Sequence, residues 1–146
     1  MPIDTAKLLD IIGDGVVVSD AHGHIIYWNP AATRIFGFTE QEALGHTLDL
    51  IIPDRLRHRH NVGFTKSMET GTTRYGNDLL KVPATHKDGR TLSIAFTVAM
   101  LFDQDKHVSG VAAVIRDETQ RFQEERELRR KLADLESQIT AMRISR

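Results

Sequence analysis

The sequence predicts an α+β fold in which a five-stranded antiparallel sheet carries short helices on one face. Two β-rich segments lie before and after a run of three helical segments, and this arrangement favours an antiparallel sheet over alternating βαβ units. After Asp117 the chain becomes strongly charged and contains neither glycine nor proline. We therefore expect a globular domain over residues 1–118 and a C-terminal amphipathic coiled-coil or linker helix over residues 119–146.

The first predicted elements are a short helix and a hairpin. Residues 4–12 have the apolar spacing of an amphipathic helix. Residues 15–20 (GVVVSD) are rich in β-branched side chains, and residues 25–28 (IIYW) follow after a turn that bends at Gly23. Two such runs joined by a short glycine-containing turn predict a β-hairpin.

Capping residues predict two short helices after the hairpin. Asn29 is suited to cap a helix whose first position is Pro30, and Gly37 is suited to end it. In the next segment, TEQEALG, Thr39 and Glu42 have the spacing of a capping box.

The segment DRLRHRHNVGFTKSMETG predicts a third, longer helix. Asp54 is the expected N-cap, and Gly71 is the expected stop. Gly63 is expected to make the middle of this helix irregular, because glycine costs about 1 kcal/mol relative to alanine inside a helix.

The last three strands are predicted from alternation and from turn residues. Residues 79–85 and 91–100 flank the turn HKDGR, and Pro83 indicates that the first of these strands lies at an edge. Residues 108–117 (VSGVAAVIRD) form the final strand. The middle strand directs alternate apolar side chains to one face: Leu92, Ile94, Phe96, Val98 and Met100.

The C-terminal helix carries a heptad pattern. Leu132 and Ile139 occupy a positions, and Leu128, Leu135 and Met142 occupy d positions. Isolated helices of this length are marginal in water, so the apolar seam is expected to pair in a coiled coil, most simply a parallel homodimer. The alternative is that the helix folds back on its own sheet.

Composition excludes several classes of function. The chain of 146 residues has a net charge of −1 and no cysteine, which excludes disulfides and Cys-ligated zinc and argues against a general polyanion binder. We therefore expect no nucleic-acid partner. There is no P-loop, GxSxG, HExxH or GxGxxG motif, so no catalytic residue is predicted and we do not expect an enzyme.

Targeting signals are also missing from the sequence. No apolar run approaches the roughly 18 residues of a membrane span, and the N-terminal residues MPIDTAKLLD have no signal-peptide pattern. We expect a cytoplasmic protein.

Four segments together resemble a PAS domain in the order that this family has. They are DAHGHIIYWNPAATRIFGFTEQEALG at 20–45, IIPDR at 51–55, KDGR at 87–90 and IRDET at 115–119. The resemblance implies a sensory module that binds a small ligand or cofactor between helices and sheet, or none. It also implies that the terminal helix relays the ligand state to a downstream signalling protein or a fused effector.

The resemblance limits the cofactors that are compatible with the chain. Flavin photosensors of the family and photoactive yellow protein attach their chromophores through a cysteine, and this chain has none. Haem-binding members carry a proximal histidine on the long helix, and LRHRH aligns so that His60, rather than His58, takes that place. Haem, with His60 as axial iron ligand, is therefore one hypothesis for the cofactor.

Helical geometry independently separates the two histidines. At 3.6 residues per turn, His58 lies about 200° away from His60 around the helix, so the two cannot share a metal ion. His60 lies on one stripe with Leu56, Phe64 and Met68, and an imidazole on an apolar wall suits haem iron. The alternative is a hydrogen-bonded core histidine beside an empty pocket or another ligand.

The opposite wall of the expected pocket is aliphatic. Leu80 takes the place of the gas-contacting arginine of oxygen-sensing members, which would favour CO or NO over O₂. Phe96 is large enough to fill the cavity instead, which would leave a ligand-free module for protein–protein interaction. The strand residues expected to line the pocket are Leu80, Val82, Ile94, Phe96 and Val98.

Overall fold

The computed structural model describes residues 2–73 and 76–144. Residue 1 of the predicted globular domain and residues 145–146 of the predicted C-terminal helix lie outside the described residues. In chain order the elements are α1 (Thr5–Ile11), β1 (Gly15–Asp20), β2 (Ile25–Trp28), α2 (Pro30–Phe36), α3 (Glu40–Ala43), a 3-10 helix (Leu48–Ile51), α4 (Asp54–Thr70), β3 (Leu80–Thr85), β4 (Thr91–Phe102), β5 (Val108–Asp117) and α5 (Thr119–Ile144).

The five strands form one antiparallel sheet with the order β2-β1-β5-β4-β3. β3 lies at an edge, which confirms the position predicted from Pro83. The last strand in sequence, β5, lies in the middle of the sheet between β1 and β4. Gly110 of β5 permits a close approach there, because a Cβ atom at this position would lie 2.2 Å from the Ser19 carbonyl oxygen.

The register of the strands defines an inner face of the sheet that packs on the helices. Val17 lies opposite Trp28 on one side and Ala113 on the other, and Val98 lies opposite Ala113. Residues directly opposite in an antiparallel pair share a face. The buried core on this face consists of Val17, Ile25, Trp28, Ala32, Phe36, Ala43, Ile51, Ala84, Leu92, Ile94 and Ile115.

The buried side chain of Asn29 connects α1, β1 and α2. Its side-chain oxygen caps α2 by accepting from the Ala32 amide at 2.9 Å, and it also accepts from the Val16 amide at 2.8 Å. Its amide nitrogen donates to the Leu9 and Asp14 carbonyls at 2.9 and 3.1 Å. Asn29 is almost fully buried, so it fixes α1, β1 and α2 together at a site that excludes water.

The turn between β3 and β4 docks on the C-terminal end of α2. The Lys87 amide donates to the Phe36 carbonyl at 2.9 Å. Gly37 has φ +83, and a Cβ atom there would lie 2.5 Å from the His86 ring. The Lys87 ammonium is 2.6 Å from Glu42, and this hydrogen bond lowers the pKa of the Glu42 carboxyl.

The capping residues of the short helices are as predicted, and the longer helix departs from prediction in two details. Thr39 and Glu42 form the capping box of α3. In α4, however, the N-cap is Pro53, and Asp54 is instead the first helical residue and pairs with Arg57 at 2.6 Å. The helix also continues through Gly63 without interruption, because one glycine penalty is small beside seventeen residues of helical hydrogen bonding.

The structure adds a 3-10 helix over Leu48–Ile51 that the sequence analysis did not predict, and β4 extends two residues beyond the predicted strand, to Phe102. Among the described residues, no helix combines the length and apolar character required to cross a membrane.

α5 begins directly at the sheet and then leaves it. The Glu118 amide donates to the Ser93 carbonyl at 2.8 Å, and the Ser93 amide donates to the Thr119 hydroxyl at 3.0 Å. Beyond this junction no described residue of α5 is buried. The side chains of the predicted seam remain between 50% and 67% exposed: Leu128, Leu132, Leu135, Ile139 and Met142. The helix therefore does not fold back on its own sheet.

Replacing Asn29 tests the buried junction. Asn29→Ala removes the acceptor for the Val16 and Ala32 amides, and we expect a loss of about 2–4 kcal/mol in the free energy of unfolding. Thr39→Ala, at an exposed cap, should cost about 1 kcal/mol. Urea denaturation monitored by the fluorescence of Trp28 measures both. Equal losses in the two variants would contradict the structural role of Asn29.

Candidate functional site

α4 is loosely attached to the rest of the domain. No residue of α4 is fully buried, but one stripe along it is half-buried: Leu56, His60, Phe64 and Met68. Near the middle of this stripe, a Cβ atom at Gly23 would lie 3.7 Å from the Phe64 ring. The stripe therefore faces the domain with limited contact, as the helical spacing predicted, while His58 is exposed.

The His60 ring is held by a short polar chain. Nδ1 of His60 is 3.3 Å from Oδ1 of Asn61, and Nδ2 of Asn61 donates to Oδ1 of Asp49 at 3.2 Å. The amide oxygen of Asn61 is suited to accept from Nδ1–H, and in that tautomer the lone pair of Nε2 is free to bind a metal. The His60 ring also stacks on Phe64, with 6.0 Å between centroids and 28° between planes.

The strand residues expected to line the pocket share the inner face. Leu80 lies opposite Phe96 and Val82 lies opposite Ile94, and Val98 shares their face because it occupies an alternate position of β4. Leu80, Phe96 and Val98 are half-buried, whereas Ile94 is buried in the core and Val82, at the sheet edge, is 38% exposed. This wall is therefore apolar, and only part of it is free of the core.

The basic cluster at the start of α4 separates into different environments. Arg57 pairs with Asp54 at 2.6 Å, and its Nε donates to the Ile52 carbonyl at 3.1 Å. Arg55, His58 and Arg59 are exposed. Of the histidines and arginines in this stretch, His60 alone lies on the inward apolar stripe.

Sequence reasoning did not identify Asn61 and Asp49 as the residues that hold His60. The requirement for a hydrogen bond on the second ring nitrogen is general for histidine ligands, and the neighbouring Asn61 was a visible candidate. Asp49 lies twelve residues from Asn61, on the 3-10 helix that was not predicted, so no local signal connects the two.

The chain belongs to the PAS domain family. The family model described as a PAS domain matches residues 13–120. A solved structure of the PAS domain of a protein from Colwellia psychrerythraea has a TM-score of 0.69 at 22% identity, and covers 80% of this chain and 95% of that chain. The observed sheet, its covering helices and the long C-terminal helix agree with this assignment.

The relatives with similar sequences include three curated proteins. An uncharacterized protein of Azorhizobium caulinodans is 32% identical over 84% of this chain and 17% of its own length. The sensor protein FixL of Bradyrhizobium diazoefficiens is 27% identical over 91% of this chain and 25% of its own. The oxygen sensor protein DosP of Escherichia coli is 25% identical over 63% and 12%. The chain thus spans a quarter or less of each relative, and it is a PAS domain homologous to those of two sensor proteins.

Two phenylalanine truncations test how firmly α4 is attached. Phe36 is fully buried, and Phe36→Ala should cost about 3–5 kcal/mol in the free energy of unfolding. Phe64 is only half-buried, so Phe64→Ala should cost about 1 kcal/mol. Urea denaturation of the two variants beside the unmodified protein checks the ratio, and a loss in Phe64→Ala as large as that in Phe36→Ala would show that α4 is part of the core.

Proposed function

We propose that this PAS domain is a sensory module that binds a small ligand or cofactor between α4 and the inner face of the sheet. The observation that carries the proposal is the division of the inner face. One part is packed by the core, whereas Phe96, at the edge of the core, and Val98 are only half-buried. α4, the helix whose apolar stripe we expect to cover them, has no fully buried residue. A ligand in this space would complete the burial of apolar surface on both sides.

Haem is the cofactor that the donor set fits best. A haem site requires a neutral imidazole with its second ring nitrogen hydrogen-bonded and an apolar surrounding. His60 has Nδ1 beside Asn61, and Leu56, Phe64, Leu80 and Phe96 provide apolar side chains. His60 would be the axial ligand, and the iron would supply reversible binding of a diatomic gas. The homology to the oxygen sensor protein DosP supports this class of ligand.

The register of the sheet provides a direct connection from this site to the output helix. Phe96 lies opposite Ile115, and Ile94 lies opposite Asp117. The Asp117 carboxylate accepts from the amide and hydroxyl of Thr119 at 2.9 and 2.5 Å, at the first residue of α5. A displacement of Phe96 by a ligand would therefore change the packing of β5 and the direction in which α5 leaves the sheet. We place the boundary between the sensory domain and the output helix at residues 118–119.

The output side of the module is α5. Its exposed seam supports pairing with a second copy of the chain. The homology to the sensor protein FixL supports transfer of the signal to a downstream signalling protein or to an effector in the same polypeptide.

A ligand-free module for protein–protein interaction is the second candidate. Phe96 packs against the core cluster and so occupies part of the proposed space. In the part of the chain that the structure describes, one shallow, open depression lies on the outward side of α4 and another lies along α5. Neither of these two lies between α4 and the sheet. In this case the sheet and α5 would serve assembly alone.

An absorption spectrum after reconstitution with hemin distinguishes the two candidates. We expect a Soret band that is lost in His60→Ala, because the axial ligand is removed, and retained in the matched variant His58→Ala. The absence of a band in the unmodified protein would overturn the haem hypothesis, and retention of the band in His60→Ala would overturn the role of His60.

Charged substitutions in the seam test the dimer. Leu135→Asp or Ile139→Asp places an unpaired carboxylate in an apolar interface. We expect this to cost about 3 kcal/mol or more in the free energy of dimerisation, which raises the dissociation constant about a hundredfold. We expect monomers by light scattering at concentrations where the unmodified protein is dimeric. Ser137→Asp, on the opposite side of the helix, is the matched control and should remain dimeric. An unchanged mass for both seam variants would contradict pairing through α5.

A further inference from the structure

We propose that α5 pairs with a second copy of this chain in parallel and in register, and that two kinds of interhelical ion pair fix this alignment. Glu124 would pair with Arg129 of the second copy, and Lys131 would pair with Glu136 of the second copy. The inference rests on the proposed function only in taking α5 as the output helix, and it specifies the geometry of the partner surface.

The apolar seam of α5 fits a second, identical helix as its binding partner. Its five side chains remain at least half-exposed, and they are spaced alternately by four and three residues along a helix that extends to Ile144. This spacing matches the contact seam of a left-handed coiled coil. Leucine at d with isoleucine at one a position is compatible with two strands, and an identical helix supplies the same seam.

Charges beside the seam distinguish the possible alignments. In a parallel dimer, a residue at g lies near the e residue five positions later on the other helix. Glu124 and Lys131 occupy g positions, and Arg129 and Glu136 occupy the corresponding e positions. Both pairs are of opposite charge, each occurs twice in a symmetric dimer, and the remaining pair, Gln138 with Arg143, is not repulsive.

A shift of one heptad would reverse this complementarity. Glu124 would then lie near Glu136 of the second copy, and Lys131 near Arg143. Like charges across a coiled-coil interface are destabilising. The in-register parallel alignment is therefore favoured over its nearest parallel competitor.

An antiparallel arrangement is disfavoured for a different reason. With the apolar layers matched, Lys131 would lie near Gln138, so one of the two opposite-charge pairs would be lost. Glu125, at an a position, does not distinguish the two arrangements, because it would lie against Met142 in the antiparallel dimer and opposite Glu125 of the second copy in the parallel dimer.

The first two turns of α5 do not contribute to the apolar seam. The a and d positions there are Glu125 and Arg121, and within one helix Arg121 Nε is 3.6 Å from Glu125 Oε1. The apolar contact between the copies therefore begins at Leu128. The two helices leave the sensory domains through a polar segment. The proposed ion pairs, formed by residues between 124 and 136, lie beside the start of the apolar contact.

Charge reversal in the 146-residue chain tests the alignment. We expect Lys131→Glu and Glu136→Lys each to weaken its own homodimer by about tenfold, because two exposed pairs turn from attraction to repulsion. A mixture of the two variants should form heterodimers in which both pairs are restored. Sedimentation velocity measures the homodimers, and native mass spectrometry measures the fraction of heterodimer.

One control isolates the interhelical contribution. Lys131 also lies 3.7 Å from Glu127 of its own helix, and Lys131→Glu removes that pair too. Glu127→Gln removes only the pair within the helix and should leave the dissociation constant unchanged. An equal weakening in Glu127→Gln, an unchanged homodimer in Lys131→Glu, or no preference for the heterodimer would overturn the inference.

Crosslinking tests the direction of the helices separately. The chain has no cysteine, so Leu128→Cys introduces the only thiol, at a d position where the two copies face each other in a parallel dimer. Oxidation should yield a disulfide-linked dimer, whereas the outward-facing variant Gln123→Cys should not react at the same rate. Equal rates for the two variants would contradict the parallel arrangement. A failure here would leave the spectroscopic test of His60 unaffected, so the two proposals fail separately.

Discussion

The pairing of β4 with β5 is the constraint on which the arrangement of the domain depends. The two strands pair from Ile94 and Asp117 at one end to Phe102 and Val108 at the other, so β5 lies beside the strand that carries three of the five strand residues of the candidate site. Because α5 begins immediately after β5, α5 is only one strand away from that site. No additional element is needed to connect them.

The helices differ in how firmly they are attached to the domain. Trp28 and Phe36 pack against each other, with 5.5 Å between their ring centroids, and α2 is fixed beneath them by Asn29. α4 has only a half-buried stripe and a polar chain through Asn61. Elements with few buried contacts open at lower free energy than the core, so we expect α4 to open more readily than α2.

Local signals predicted most of the elements, because capping residues and alternation act over a few positions. The cap at Asn29 and the capping box at Thr39 were visible in the sequence. The buried hydrogen bonds of Asn29 to Leu9 and Asp14, however, depend on the tertiary fold. The strand order and the central position of β5 depend on long-range pairing. Likewise, helical spacing placed His60 on the inward stripe, but its link through Asn61 to Asp49 arises only when the 3-10 helix lies beside α4.

We propose that a ligand binds between α4 and the inner face of the sheet. Hydrogen–deuterium exchange of the full chain with and without hemin tests it directly, because burial on both walls slows amide exchange. We expect increased protection in peptides from 54–70 and 80–98, with a smaller change at the start of α5. Protection confined to other segments, or no difference on addition of hemin, would contradict a haem site between α4 and the sheet.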